Sequence, residues 1–181
     1  MSQFIKDNNW TLFLDRDGVI NHEQHLSYVN EWADFEFYSG AKDAFKIFAT
    51  KFKYIIVITN QRGVGKGITK LENLYMVHRN MQNEIATAGG RIDGIYFCPD
   101  LDNDSPNRKP NIGMALQAKN DFPAIDFTRS VMVGNNISDM EFGHNIGAKT
   151  VLLTTTMPDA PPEIEYIDAV YKSLYQFAQS L

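Results

Sequence analysis

The sequence predicts a three-layer α/β sandwich, a central parallel sheet between helices, with no separate cap domain. Two observations predict it. Short apolar runs rich in β-branched and aromatic residues alternate with segments of helical periodicity, the pattern of successive βαβ crossovers. Four polar fragments, Asp15-Arg16-Asp17-Gly18, Thr59-Asn60, Lys109-Pro110 and Gly134 to Asp139, each end or closely follow one of the strand-like runs. Parallel strands place their carboxyl ends together, which is where open α/β sheets bind ligands.

The elements follow in order. Trp10 to Leu14 reads as a buried strand that runs into the first acidic fragment. After Gly40, residues Ala41, Ala44, Phe45, Phe48 and Phe52 recur at helical spacing. Tyr54 to Ile58 is a second strand, ending at Thr59. Thr69 with Glu72 predicts a capping box. The helix it opens carries Leu71, Leu74, Tyr75, His78, Met81, Ile85 and Ala88, and Gly89-Gly90 stops it. Ile95 to Cys98 is a third strand, and Ile112 to Phe122 a helix ended by Pro123. Val131 to Val133 is a fourth strand, followed by a helix from about Ser138 to Ile146, and Thr150 to Leu153 is a fifth. Met157 to Glu163 is a Pro-rich loop, with one short strand and helix after it. No internal repeat is visible, and residues 1–181 are expected to form a single domain.

Composition narrows the function. Hydrophobic residues at 44% and charged residues at 22% argue for a packed globular chain. No apolar run reaches membrane-span length, and the polar start MSQFIKDNNW has no signal-peptide pattern, so the cytoplasm is the expected compartment. One cysteine excludes an internal disulfide and a multi-cysteine zinc site. A net charge of -5 argues against a nucleic-acid partner. A monomer is expected.

The four fragments together bring two close carboxylates, a hydroxyl, a lysine and a further acid to one place, a set suited to metal-dependent phosphoryl transfer. Asp15 and Asp17 are two residues apart, and in a continuing strand they would share a face. One carboxylate could attack phosphorus, forming an acyl phosphate, while the other handles the proton of the ester oxygen. Gly18 would let the backbone turn toward the phosphoryl group. Thr59 and Asn60 offer hydrogen bonds to phosphate oxygens, and Lys109 a positive charge. Each fragment alone is also what an ordinary polar turn looks like; order and placement give the set its meaning.

In these residues the chain resembles the haloacid dehalogenase (HAD) superfamily of phosphatases. The segments DRDGVIN, YVNEWADFEFYSGA, ITNQRGVGKG, DGIYFCP, NRKPNIGM and VMVGNNISDM resemble the subgroup of the D-glycero-D-manno-heptose 1,7-bisphosphate phosphatases and histidinol-phosphate phosphatases, over roughly residues 10 to 156. The resemblance implies a HAD-like, Rossmann-like fold and a Mg²⁺-dependent phosphomonoesterase. It implies Asp15 as nucleophile and Asp17 as general acid/base, with Arg16, Gly18, Thr59, Asn60, Arg108 and Lys109 around the phosphate. Mg²⁺ would be held by the Asp15 carboxylate, the Asp17 carbonyl, Asn135 and Asp139. A heptose bisphosphate is the expected substrate, with histidinol phosphate as the alternative. Arg16, Asn21, Tyr28 and the Arg62 to Gly67 loop are expected to shape the pocket.

The chain departs from that pattern twice. Asn135 stands where the fourth motif usually has aspartate, which keeps an oxygen but loses a charge. Weaker metal binding rather than its absence is expected; a silent phosphate-binding protein is the rival that Asn135 raises, and the retention of Asp15, Asp17, Lys109 and Asp139 together counts against it. Relatives often carry a Cys-x-His…Cys-x-Cys zinc loop; here Cys98 is followed by Asp100, Ser105 and Asn107 at the other places, so no structural zinc is expected.

Two further signals are set aside. Gly63-Val64-Gly65-Lys66-Gly67 lacks the spacing of a nucleotide loop and is read instead as a mobile flap. Asp100 to Asp104 imitates the start of a calcium loop, but Ser105 and Asn111 stand where glycine and a bidentate glutamate are needed.

Overall fold

The computed structural model describes residue 5 and residues 7–24, 27–156 and 165–181. Six strands form one fully parallel sheet: β1 (Thr11–Leu14), β2 (Tyr54–Asn60), β3 (Gly94–Cys98), β4 (Ser130–Gly134), β5 (Lys149–Leu153) and β6 (Ala169–Tyr171). Their order is β3-β2-β1-β4-β5-β6. The chain therefore winds outward from β1 in one direction and from β4 in the other. The crevice between the carboxyl ends of those two strands is the switch point of the topology.

The register is regular, with Leu12 beside Ile55 and Val131, and Phe13 beside Ile56 and Met132. Because side chains alternate across a pleated strand, each central strand feeds two cores. Leu12, Leu14, Ile55, Val57, Val131 and Val133 pack with Phe45 and Phe48 of α1 (Ala41–Lys51), Met81 and Ile85 of α3 (Leu71–Thr87), and Phe177 of α6 (Leu174–Gln179). Phe13, Ile56, Ile58 and Met132 pack on the opposite face with Met114, Ala115 and Ala118 of α4 (Gly113–Asp121) and Phe142 of α5 (Ile137–Asn145). Fully burying one such side chain contributes about 1.5–3 kcal/mol. This two-sided burial is why the strands read as continuous apolar runs.

Two local expectations change. The Thr69–Glu72 capping box does not form: α3 is preceded by Lys70 in extended conformation, and Thr69 Oγ1 instead donates to Asn30 Oδ1 at 2.7 Å. The buried stripe of α3 is Leu74, Val77, His78, Met81 and Ile85, which leaves Leu71 and Tyr75 exposed. The Gly63 to Gly67 segment folds back on itself: α2 (Arg62–Gly65) is a single helical turn, and the Gly63 carbonyl accepts from both Ile68 and Thr69. The stop at Gly89 holds, with a left-handed φ of 88°. The short C-terminal strand and helix are β6 and α6, while the loop expected over residues 157–163 lies outside the described residues. Between β1 and α1 the described residues hold one turn of 3-10 helix, Trp32–Asp34, and the isolated bridges Asp17–Asn21 and Asn21–Phe37. Among the described residues no helix is long and apolar enough to cross a membrane.

Candidate active site

A cleft of about 290 Å³ opens over the carboxyl ends of β1, β2 and β4. Its lining includes Asp15, Asp17, Thr59, Asn60, Arg108, Lys109, Asn135 and Asp139, so the four fragments converge as their placement at strand ends requires. The strand pleat is not what pairs the two acids. β1 ends at Leu14, and residues 15–21 form a tight loop in which the Arg16 carbonyl accepts from Ile20 and Gly18 N–H donates to the Asn21 carbonyl. Gly18 has φ +79°, and a Cβ there would lie 2.1 Å from Asn135 Nδ2. Only glycine allows both the left-handed turn and the close approach of the fourth fragment.

Lys109 is buried and central. Its Nζ lies 2.8 Å from Asp15 Oδ1 and 2.7 Å from Asp139 Oδ1. Burial alone would lower the pKa of this ammonium; attraction to Asp139 and Asp15 outweighs it and holds the pKa above the ordinary lysine value. Burial pushes the Asp15 carboxyl up, to about 7, against the pull of Lys109 and with added repulsion from Asp139 and Asp17. Asp15 therefore sits in a place that calls for more positive charge than the side chains supply. Asn60 contributes by position: its Oδ1 accepts from Lys109 N–H at 3.1 Å and its Nδ2 donates to the Lys109 carbonyl at 3.3 Å. Both amide atoms are engaged in holding the lysine segment.

Asp17 faces a different set. Arg16 Nη2 donates to both of its oxygens, at 2.8 and 2.9 Å, Asn21 Nδ2 donates to Oδ1 at 2.9 Å, and Gln61 Nε2 to Oδ2 at 2.9 Å. Burial pushes this carboxyl up, but the Arg16 charge and these hydrogen bonds prevail and hold it below the usual carboxylate range. Arg16 was expected beside the phosphate. It is instead 0% exposed and does not line the cleft, because its guanidinium turns inward to pair with Asp17 and His78. Asn21 is likewise buried behind the cleft, whereas Tyr28 and Arg62 line it. Gln61 is a site residue that the motifs did not single out; its Nε2 also donates to Thr59 Oγ1 at 2.8 Å. Its position directly after Thr59-Asn60 was the available signal.

The residues fit a divalent cation. Asn135 Oδ1 is buried with no hydrogen-bond partner, while its Nδ2 donates to Thr156 Oγ1 at 2.9 Å. A buried amide oxygen without a hydrogen-bond donor, in the cleft that Asp15 and Asp139 also line, is a hard ligand suited to Mg²⁺. Asp139 has two roles: Oδ2 accepts from the Asn135 and Asn136 amides and fastens the start of α5, while Oδ1 faces Lys109. Among the described residues no three His, Cys, Asp or Glu side chains converge on one point, so the candidate set depends on the amide and a backbone carbonyl. At the loop expected to lack zinc, Cys98 is buried and the chain is closed by hydrogen bonds. Ser105 Oγ donates to Asp100 Oδ2, Asn111 Nδ2 to the Ser105 carbonyl at 2.9 Å, and Arg62 Nη2 to the Leu101 carbonyl at 2.8 Å.

Comparison with known proteins places this geometry in context. The Hydrolase_like family model, described as HAD-hydrolase-like, matches residues 106–176. The D-glycero-alpha-D-manno-heptose-1,7-bisphosphate 7-phosphatase of Mycobacterium tuberculosis is 36% identical over 172 residues, spanning 94% of this chain and 90% of its own. The D-glycero-beta-D-manno-heptose-1,7-bisphosphate 7-phosphatase of Yersinia pestis is 34% identical over 180 residues, spanning 94% of each. A crystal structure of D,D-heptose 1,7-bisphosphate phosphatase from B. bronchiseptica, complexed with magnesium and phosphate, superposes with a TM-score of 0.82 at 24% identity, covering 94% of this chain and 96% of that one.

Proposed function

Since the chain belongs to the HAD-superfamily phosphatases, in the subgroup of the D-glycero-D-manno-heptose-1,7-bisphosphate phosphatases, we propose that it hydrolyses the C7 phosphate ester of a heptose 1,7-bisphosphate with Mg²⁺. The observation that carries the reading is the Asp15–Lys109–Asp139 array at the switch point, joined to relatives of that activity along almost the whole chain. Asp15 attacks phosphorus in line with the ester oxygen. An aspartyl phosphate forms as the P–O bond to the sugar breaks; Asp17, ionised in the free site, takes up the proton that a phosphate monoester monoanion brings in and passes it to the departing alkoxide. Asp17 then takes a proton from the water that hydrolyses the acyl phosphate. Lys109 and the Thr59 hydroxyl meet the charge on the phosphoryl oxygens, and Arg108 stands at the cleft wall.

Asp15, the Asp17 carbonyl, Asn135 and Asp139 would hold the metal. Mg²⁺ bound there supplies positive charge that keeps the Asp15 carboxyl ionised and offsets charge on the phosphoryl group. The cytoplasm is the compartment we propose, since a doubly phosphorylated sugar does not cross a bilayer unaided.

The test is a turnover screen with Mg²⁺ over both anomers of heptose 1,7-bisphosphate, other sugar phosphates and histidinol phosphate, with Asp15→Asn as control. Heptose bisphosphate should give the highest kcat/KM, and Asp15→Asn should lower turnover by about 10³ or more while keeping the fold. A preference for histidinol phosphate would overturn the substrate; undiminished activity in Asp15→Asn would overturn the mechanism; no turnover of any ester would favour a silent binding protein.

A further inference from the structure

One buried titratable side chain stands behind the site and has no part in the scheme above. His78 lies on the inner face of α3, 6% exposed, with its ring edge-on to Phe97 at 6.0 Å between centroids. Its Nε2 is 3.1 Å from Arg16 Nη1, across a separation of 62 residues. A guanidinium has five donors, no acceptor, and keeps its charge. Arg16 must therefore donate, and His78 must accept through Nε2 as a neutral imidazole with its proton on Nδ1. Burial and then the Arg16 charge drive the imidazole pKa down to about 3, with Asp17 opposing them, so the neutral form persists. The other edge of the same guanidinium grips Asp17: Nε donates to Oδ1 at 3.2 Å, and Nη2 donates to both oxygens.

We propose that His78 is a positioning residue for the reaction: by accepting from Arg16 Nη1 it fixes the guanidinium plane that aims the Asp17 carboxyl at the leaving-group oxygen. The proposal rests on the reading of Asp17 as the acid/base. Arg16 and Asp17 are neighbours in sequence, and a flexible side chain paired only with its neighbour has no external reference. His78 provides that reference from a helix packed in the main core. Without it, one buried N–H of a charged group loses its acceptor, a loss the guanidinium can relieve only by moving. The acceptors nearest to hand are the Asp17 oxygens, so the guanidinium relaxes by tilting on the carboxylate. A displacement of about 1 Å in a catalytic group costs about 10²-fold in rate.

A merely structural histidine would lower stability and slow all substrates alike. A histidine that aims the proton donor affects only esters whose leaving group needs the proton. The experiment compares p-nitrophenyl phosphate, whose leaving group departs as an anion, with the primary alkyl phosphate that the wild-type enzyme hydrolyses best. His78→Leu should lower kcat for the alkyl phosphate by about 10–100-fold with KM changed less than about threefold, and p-nitrophenyl phosphate turnover by less than about threefold. His78→Gln, which keeps an acceptor, should recover most of the loss. In an Arg16→Met background, adding His78→Leu should not change the ratio of the two rates further, because the route through the guanidinium is already gone. Equal losses on both substrates, no loss in His78→Leu, or an added loss in the double variant would each overturn the proposal. If His78→Leu does not fold, His78→Met, which fills the space but offers the guanidinium only a weak acceptor, takes its place: the same selective loss on the alkyl phosphate is expected, and equal losses on both substrates or no loss would overturn the proposal. Asp17→Asn separates the two readings. A selective loss there without one in His78→Leu rejects only His78, and an equal loss there on both substrates rejects Asp17 as the proton donor.

Discussion

Replacing His78 with glutamine should change how the fold responds to acid, and the size of the change follows from where the imidazole sits. In the unfolded chain a histidine titrates near 6.5. In the folded chain burial and the Arg16 guanidinium, only partly opposed by Asp17, hold it down at about 3. Between those two values the unfolded state binds a proton that the folded state refuses. Stability from this group is therefore whole above about pH 7 and is lost as the pH falls below the unfolded value, until the folded value is reached. The limiting slope is about 1.4 kcal/mol per pH unit, so at pH 5, some 1.5 units below the unfolded value, the loss is about 2 kcal/mol. Glutamine keeps an acceptor for Arg16 and has no titration. Urea unfolding of wild type and His78→Gln between pH 5 and 7.5, with chelator present, gives the difference curve. Other carboxyls and histidines contribute to both proteins and cancel. The variant should gain about 2 kcal/mol on the wild type between pH 7.5 and pH 5. A flat curve would mean that folded His78 takes up a proton normally, and then Nε2 does not accept from Arg16. A curve of opposite sign would mean that the fold stabilises an imidazolium.

Three further outcomes are expected. Asn135→Asp places a charge where the orphaned amide oxygen lies and should lower the half-saturating Mg²⁺ concentration by about tenfold, read by calorimetric titration as well as initial rate; unchanged binding would remove Asn135 from the metal. Gly18→Ala must adopt a left-handed φ at about 1–2 kcal/mol and push Asn135 aside, so both melting temperature and Mg²⁺ affinity should fall; a variant with normal affinity would show that the two fragments need not touch. Elemental analysis should find no stoichiometric zinc, and a strong zinc chelator should leave the melting temperature unchanged, because a structural zinc would add folding free energy; one zinc per chain would show that the Cys98 to Asn107 loop has been misread.

The sequence by itself determined the layers and the gathering of the motifs. A strand buried on both faces must be apolar throughout, so Tyr54 to Ile58 and Val131 to Val133 announce themselves, and alternation with helices leaves a parallel sheet as the economical solution. Once the strands are parallel, Asp15, Thr59 and Asn135 must meet at one edge. The tertiary structure decided which way side chains turn after the strands end. Beyond Leu14 the period-two rule has no ladder to enforce it, and the tight loop around Gly18 separates Asp15, held by Lys109, from Asp17, held by Arg16. Arg16 looks like a ligand for phosphate because an arginine beside two acids usually is. It turns inward to pair with Asp17 and with His78, on a helix 62 residues away. Thr69 is a fair helix cap by spacing, yet Asn30 takes its hydroxyl. Local patterns record what a residue can do with its chain neighbours. A buried hydrogen bond is chosen by whichever partner the packed core brings within about 3 Å, and that choice exists only after the core has formed.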